Sequence, residues 1–532
     1  MIVGKVVGSV VSTRKSDKLI GQKFMIVEPV HHMKSDLSQI VAIDIIGAGI
    51  GEYVLVAQGS AAESAAAKKQ HPLMRRLSES LMTVRDWSNA MEIKELQKIM
   101  QDNGVAGAGG AGFPTYAKLT DKADTILMNC AECEPLLKLH RQLLEKHAYE
   151  IMKTFSLVAD TVGAQDAIIG IKKSYVQTIK ALQQHIEEFP KVKIHLLDEV
   201  YPMGDEVVLI YEATGRVVRP GGLPIEQGVI VFNVETIYNV YRALEKQMPV
   251  TDKYVSVVAE VSKPVTVRVP IGCTLDQVVE QAGEITTKDA VYFVGGPMMG
   301  RIGSGSDPVT KTTNAILVLP KDHCIVMKKQ RTSSIDLKRA ASICCQCNSC
   351  TDLCPRNNLG HPIDPARFMR AAANGDFRDL NPYLDSHFCC SCGVCEMYAC
   401  PQSLAPRTLL LDMKNGLRKA GVRPAQGVEP VPVQPSREYR KVPEERLMAR
   451  LGLTKYDKDA PLDETLVSIP KVKILLSQHI GAPAQAIVKT GDEVTRGQMI
   501  AKPADGLSVG IHASICGKVT EVTDRYIIIA AK

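Results

Sequence analysis

The 532-residue chain has no long hydrophobic run, no strong excess of either charge and no export-signal pattern. Its longest apolar stretches, such as Ala315–Leu319, are far too short to cross a bilayer, so no membrane span is expected. A net charge of +6 is small for this length and argues against nucleic acid and against a membrane surface as partners. The opening stretch, MIVGKVVGSVVSTRKSDK, alternates like a strand and has neither a continuous apolar core nor a small-residue cleavage site. A cytoplasmic location with reduced thiols is therefore expected, and disulfides are not. The length calls for several domains.

Cysteine is what the chain has, and it is concentrated. Ten of the fifteen cysteines fall between residues 344 and 400. One run reads Cys344-x2-Cys347-x2-Cys350-x3-Cys354-Pro355, and a second reads Cys389-x2-Cys392-x2-Cys395-x4-Cys400-Pro401. Each puts three thiolates on a short loop, with a proline-capped fourth leaving it. In two-cluster ferredoxins that fourth cysteine ligates the other cluster. On that pattern one [4Fe–4S] cluster takes Cys344, Cys347, Cys350 and Cys400, and the other takes Cys389, Cys392, Cys395 and Cys354. Structural zinc favours two separated CxxC pairs instead. Cys345 and Cys390 sit beside first ligands, as bystanders or as register-shifted ligands.

A second concentration is glycine, in Gly104-Val-Ala-Gly-Ala-Gly-Gly-Ala-Gly-Phe-Pro-Thr-Tyr-Ala-Lys118. Gly107, Gly109 and Gly112 satisfy G-x-G-x-x-G, but a dinucleotide fingerprint must follow a strand and open a helix. Here a helical pattern precedes the loop and Phe113-Pro114 interrupts the segment after it, which argues against a Rossmann site. Such a loop can bring backbone N–H groups close to an anion, with Pro114 opening a short helix and Lys118 adding charge, or it can be a tight packing turn. Composition does not decide between them.

The stretch GAGGAGFPTYAK resembles the flavin-binding loop shared by the NADH-oxidising subunit of respiratory complex I and the C subunit of the Rnf complex. Asn129-Cys-Ala-Glu-Cys-Glu-Pro135, Tyr201-Pro-Met-Gly-Asp-Glu206 and Asn233-Val-Glu-Thr236 resemble later segments of the same site, in the same order. The resemblance implies noncovalent FMN with NADH stacking on it. Carried over, Gly107, Gly109, Gly110, Lys118, Asn129 and Asn233 would contact flavin, and Glu132, Glu134, Tyr201 and Glu206 would lie at the flavin–nicotinamide interface. Ala108 stands where complex I has arginine, and Ala131 where it has an acidic residue. Cys130 and Cys133 form a lone CxxC, either a redox pair or packing.

The remaining segments carry further resemblances. Residues 1–65, with strand patterns at 2–12, 23–30, 39–46 and 52–58, resemble the vertex-protein family of bacterial microcompartments, whose small β-barrels form pentamers. The strand that closes that barrel is missing, because 66–90 is basic and reads as a linker. It is the junction of two fused genes, with Met91 as the old start, or a plain spacer. Residues 91–250 read as the FMN/NADH-binding α/β domain, with helices at 92–102, 138–162 and 174–188, and 251–325 as a β-grasp (SLBB) module. Residues 335–415 read as a 2[4Fe–4S] ferredoxin-type domain and 416–465 as a proline-rich linker. Residues 466–532 resemble the barrel-sandwich hybrid of biotinyl and lipoyl carriers, but the turn Asp505–Gly510 lacks the carrier lysine. The expected fold is thus multidomain, α/β plus β.

This order of parts is similar to the cobalamin reductases of propanediol-utilisation microcompartments. That family implies electron flow from NADH through FMN and two [4Fe–4S] clusters to cobalamin, and no catalytic acid–base pair is expected. Corrinoid adenosyltransferase and shell proteins are the implied partners. The base-off cobalamin motif D-x-H-x-x-G is absent. The alternatives are an Rnf-type conduit to a non-corrinoid acceptor and a shell-anchoring protein.

Overall fold

Strands of a parallel sheet are covered on both faces, so they read as unbroken apolar runs. Thr125–Cys130 (TILMNC), Asp166–Lys172 (DAIIGIK) and Val229–Asn233 (VIVFN) are such runs and lie side by side. The computed structural model describes residues 2–10, 23–29, 40–44, 53–56 and 91–531, which fall into two units, 1–90 and 91–532.

In the first unit, β1 (Ile2–Val10), β2 (Lys23–Pro29), β3 (Ile40–Asp44) and β4 (Tyr53–Val56) form an antiparallel sheet in the order β3-β2-β1-β4. Val6, Met25 and Val27 are buried. The linker expected over 66–90 lies outside the described residues.

In the second unit, β5 (Thr125–Cys130), β6 (Asp166–Lys172), β7 (Val192–Leu197) and β9 (Val229–Asn233) form a parallel sheet in the order β7-β6-β5-β9, while β8 is the short Val200–Tyr201. Asn129 and Asn233 pair in register at the carboxyl ends of β5 and β9. The helix expected over 138–162 is broken into Leu139–Lys146 and Ala148–Val162. The break is at His147, whose ring stacks on Tyr238 at 4.4 Å and whose Nε2 lies 2.7 Å from Glu464. The expected 174–188 helix is Val176–Gln183 followed by a 3₁₀ turn.

The β-grasp sheet comprises β10 (Asp252–Ala259), β11 (Val265–Pro270), β12 (Ala290–Val294), β13 (Arg301–Gly303) and β14 (Ala315–Pro320). Residues 416–465, expected as a linker, are built into the fold. There β15 (Val442–Pro443) pairs with β8, and β16 (Leu462–Leu466) adds to the β-grasp sheet beside β11. Two small sheets close the chain, β17 (Lys471–Leu475), β19 (Glu493–Val494), β22 (Gly517–Val522) and β23 (Tyr526–Ala530), and β18 (Gln485–Ala486), β20 (Met499–Lys502) and β21 (Ile511–His512). Their inward residues, such as Val472, Ile474 and Ile527, share one core with Val255 and Val267 of the β-grasp module.

Candidate flavin and iron–sulfur centres

The cysteine loops are built alike. In the first, Gln346 and Asn348 are left-handed (φ 54° and 66°), and in the second so are Ser391 and Gly393 (φ 60° and 82°). Both pairs fall two and four residues after the first cysteine. This repeated reversal brings three thiols of each loop to one cavity. The first cavity is lined by Cys344, Cys347 and Cys350 together with Cys400. The second is lined by Cys389, Cys392 and Cys395 together with Cys354. Cys345 and Cys390 also border these cavities. The one-residue difference in spacing has a local solution. Cys350 lies in an ordinary helical turn, Ser349–Asp352, whereas the longer gap before Cys400 is taken up by a π-helical turn, Val394–Ala399.

Four thiols around each cavity are the donor set that a [4Fe–4S] cluster requires. Backbone N–H groups already point at sulfur, Ser391 to Cys389 and Leu404 to Cys400, both at 3.3 Å. Cys354, Cys392 and Cys395 are 9%, 8% and 7% exposed, whereas Cys347 and its neighbour Cys345 are exposed.

The glycine loop follows the helix Ile93–Asp102 and folds back as a tight hairpin, with the Gly107 N–H donating to the Phe113 carbonyl at 2.9 Å. It lies over the carboxyl ends of the parallel strands, the usual ligand position in such sheets. Asn233 Nδ2 donates to the Ala108 carbonyl (2.8 Å), and the Ala108 N–H donates to Thr236 Oγ1 (3.0 Å). Lys118 Nζ donates to the Val231 carbonyl (2.8 Å) and lies 3.4 Å from Glu206. Asn129 Nδ2 donates to the Gly204 carbonyl at 2.9 Å. Gly109 is left-handed (φ 84°), and a Cβ there would fall 2.7 Å from Asn314 Nδ2 and 2.9 Å from His140 Cε1. That crowding requires glycine at 109, while Gly110 and Ala111 at the tip of the loop are exposed, which leaves backbone open to the close approach of a planar ligand and fits FMN.

Gly107, Gly109, Gly110, Lys118, Asn129, Glu206 and Asn233 therefore converge. Three other candidates are tied into the scaffold. The Glu132 carboxylate accepts the His140 and Arg141 N–H groups at 2.8 and 3.2 Å, capping the helix Leu139–Lys146. Glu134 accepts the Met298 and Met299 N–H groups at 2.8 and 2.9 Å. Burial pushes its carboxyl up to about 7, although both N–H groups act to lower it. The Tyr201 hydroxyl donates to the Cys392 carbonyl at 2.6 Å, joining the flavin half to the second cysteine loop. Burial raises both thiols of the lone CxxC, Cys133 to about 12, and the Gly204 N–H donates to Cys133 Sγ (3.2 Å), which makes this pair packing.

Asp205 and Arg356 are residues that sequence reasoning missed. Asp205 caps the helix Glu206–Thr214 through the Val207 and Val208 N–H groups and accepts Arg356 Nη2 at 2.9 Å. Arg356 follows Cys354-Pro355, so this pair is a second tie between the two halves. Only the capping position of Asp205 could be read locally.

The fold and these sites define a flavin- and iron–sulfur-dependent electron-transfer oxidoreductase with FMN and two [4Fe–4S] clusters as its cofactors. Four families match in the expected order: "Ethanolamine utilisation protein EutN/carboxysome" over residues 1–75, "Nuo51 FMN-binding domain" over 100–242, "4Fe-4S dicluster domain" over 343–405 and "RnfC Barrel sandwich hybrid domain" over 455–532. The chain is 40% identical to the cobalamin reductase PduS of Citrobacter freundii over 445 residues, covering 83% of this chain and 97% of that protein. It is likewise 40% identical to the cobalamin reductase PduS of Salmonella typhimurium, covering 82% and 97%. A component of the Na(+)-translocating ferredoxin:NAD(+) oxidoreductase complex of Acetobacterium woodii is 31% identical, over 50% of this chain and 58% of that component. The chain belongs to the cobalamin reductase PduS family.

Proposed function

We propose that this protein uses NADH to reduce a corrinoid, cob(III)alamin toward cob(I)alamin, inside a bacterial microcompartment. The observation that supports the electron route in this reading is the direct joining of the glycine-loop site to a four-thiol cavity, through Tyr201 to Cys392 and through Asp205 to Arg356. When bound, a flavin turns a two-electron hydride donor into a one-electron supply, which iron–sulfur clusters can carry.

The chain's own residues do the positioning. Gly107, Gly109 and Gly110 supply bare backbone, and Asn129, Asn233 and Lys118 hold the loop and strand ends that meet the flavin. Glu206 stands beside Lys118, and by the motif resemblance it would face the nicotinamide. Glu132, Glu134 and Tyr201 brace the walls through the bonds described above. The corrinoid and NADH assignments rest on the activity for which the relatives are named and on the motif resemblance. The EutN-type match at 1–75 supports association with a shell, and a corrinoid adenosyltransferase is the partner that would consume the product.

The test is anaerobic absorbance of cluster-reconstituted protein mixed with NADH and hydroxocobalamin. The expected result is conversion of the corrinoid bands at a rate that needs both NADH and protein. Bleaching of flavin and clusters with an unchanged corrinoid would reject the acceptor and favour a conduit to another redox partner. No flavin bleaching with NADH would reject the nucleotide assignment.

A further inference from the structure

The turn that carries lysine in carrier domains, here Asp505–Gly510, is docked rather than free. Tyr116, in the glycine-loop segment, donates its hydroxyl to the Gly506 carbonyl at 3.2 Å and accepts the Ser508 N–H at 3.4 Å. The Gly510 N–H donates to the Gln101 carbonyl at 2.9 Å, just ahead of the loop. The Ile480 N–H donates to the Gly112 carbonyl at 2.9 Å, at the loop's far end. The C-terminal domain therefore holds both ends of the glycine loop.

Lys311, from the β-grasp module, sits at the centre of this contact. Its Nζ donates to the Gly104 carbonyl at 2.6 Å and to the Gly510 carbonyl at 3.0 Å. It is 3% exposed, and no carboxylate pairs with it among the described residues; its charged or titratable neighbours are His479 and His512. The fit is close enough that a Cβ at Gly104 would fall 2.4 Å from the Gly510 carbonyl oxygen and 2.5 Å from Lys311 Nζ. A buried ammonium without a counter-ion is costly, and burial pushes Lys311 down to about 7. An apolar side chain would fill the space more cheaply, but it could not bond two carbonyls from different domains at once.

We propose that the C-terminal domain acts as a latch that fixes the glycine loop in its flavin-accepting shape, with Lys311 as the positioning residue. The inference rests on the reading of this loop as the FMN cradle. It gives the domain a role that needs no carrier lysine.

The experiment compares wild type, Lys311→Met, Tyr116→Phe and, as a control whose side chain packs on Tyr526 rather than on the glycine loop, Lys473→Ala in the full-length holoprotein. FMN affinity is read by fluorescence and loop order by amide hydrogen exchange. Lys311→Met should raise the FMN Kd about tenfold or more, the effect of losing charge-assisted hydrogen bonds, and Tyr116→Phe about threefold. Exchange should accelerate in 104–118 but not in β22 and β23, and iron content should stay at the wild-type level. An FMN Kd within about twofold of wild type, with unchanged exchange in 104–118, overturns the latch. If Lys311→Met fails to fold, Tyr116→Phe decides on the same two readouts. Wild type that does not bind FMN would overturn the flavin reading instead, and the exchange rates would still test the latch.

Discussion

Glu134→Gln should make the protein less sensitive to rising pH. The Glu134 carboxylate is held by two backbone N–H groups of the 295–300 loop, and burial raises its carboxyl from the ordinary 4.5 to about 7. The folded chain therefore keeps a proton, between pH 4.5 and 7, that the unfolded chain releases. The associated stability is fully present below about pH 4.5 and is lost as pH rises through about 7. At roughly 1.4 kcal/mol per pH unit, the total is about 3 kcal/mol. Glutamine does not ionise, so that loss disappears in the variant. Its amide also offers one acceptor oxygen instead of two, a roughly constant cost of about 1–2 kcal/mol that does not vary with pH. Urea unfolding midpoints of both proteins, measured from about pH 5 to about pH 8, check this. The gap between the two should move in favour of the variant by about 2.5 kcal/mol across that range, the rest of the change lying below about pH 5. Parallel profiles would refute the argument, because they would mean that Glu134 ionises at its ordinary value.

Other outcomes come from the ties between the halves and from the cysteine sets. Arg356→Met takes one partner from a partly buried Asp205 that keeps its two capping N–H groups, and should cost about 1.5–3 kcal/mol, while the double variant with Asp205→Asn should recover most of it in a double-mutant cycle. Cys347→Ser and Cys392→Ser should each remove about half of the bound iron, whereas Cys345→Ala and Cys390→Ala should keep all of it; iron analysis and electron paramagnetic resonance read both. Deleting residues 1–90 should release the protein from purified shells without changing NADH oxidation, since 91–532 forms a separate unit; unchanged encapsulation would reject anchoring.

Much of the site was legible because its signals are local. The CxxCxxC loops and the apolar runs of β5, β6 and β9 are contiguous in sequence, and so are the four segments that build the flavin site. Even the unequal spacing before Cys400 was visible, although not its form as a π-helical turn. Glu132 and Glu134 are marked by the motif they belong to. The bonds that occupy their carboxylates could not be read, because the Glu134 partners lie 164 and 165 residues away.

The segment 416–465 shows why the rest was hidden. Its proline-rich start reads as a spacer, and β16 alternates between half-buried and exposed positions with two acids and a threonine in LDETL, so it has no hydrophobic signature. It is an edge strand, and its warrant is the free edge of β11, formed some 200 residues earlier. β15 is two residues long and exists only because β8 offers it a partner. Both pairings return the chain from the cysteine domain to the flavin and β-grasp domains, and His147 breaks a predicted helix to reach Glu464 on the same returning strand. A spacer would let the two redox sites drift apart. A returning segment stitched to both sides holds the Tyr201–Cys392 contact at hydrogen-bond distance, which keeps the two redox sites side by side.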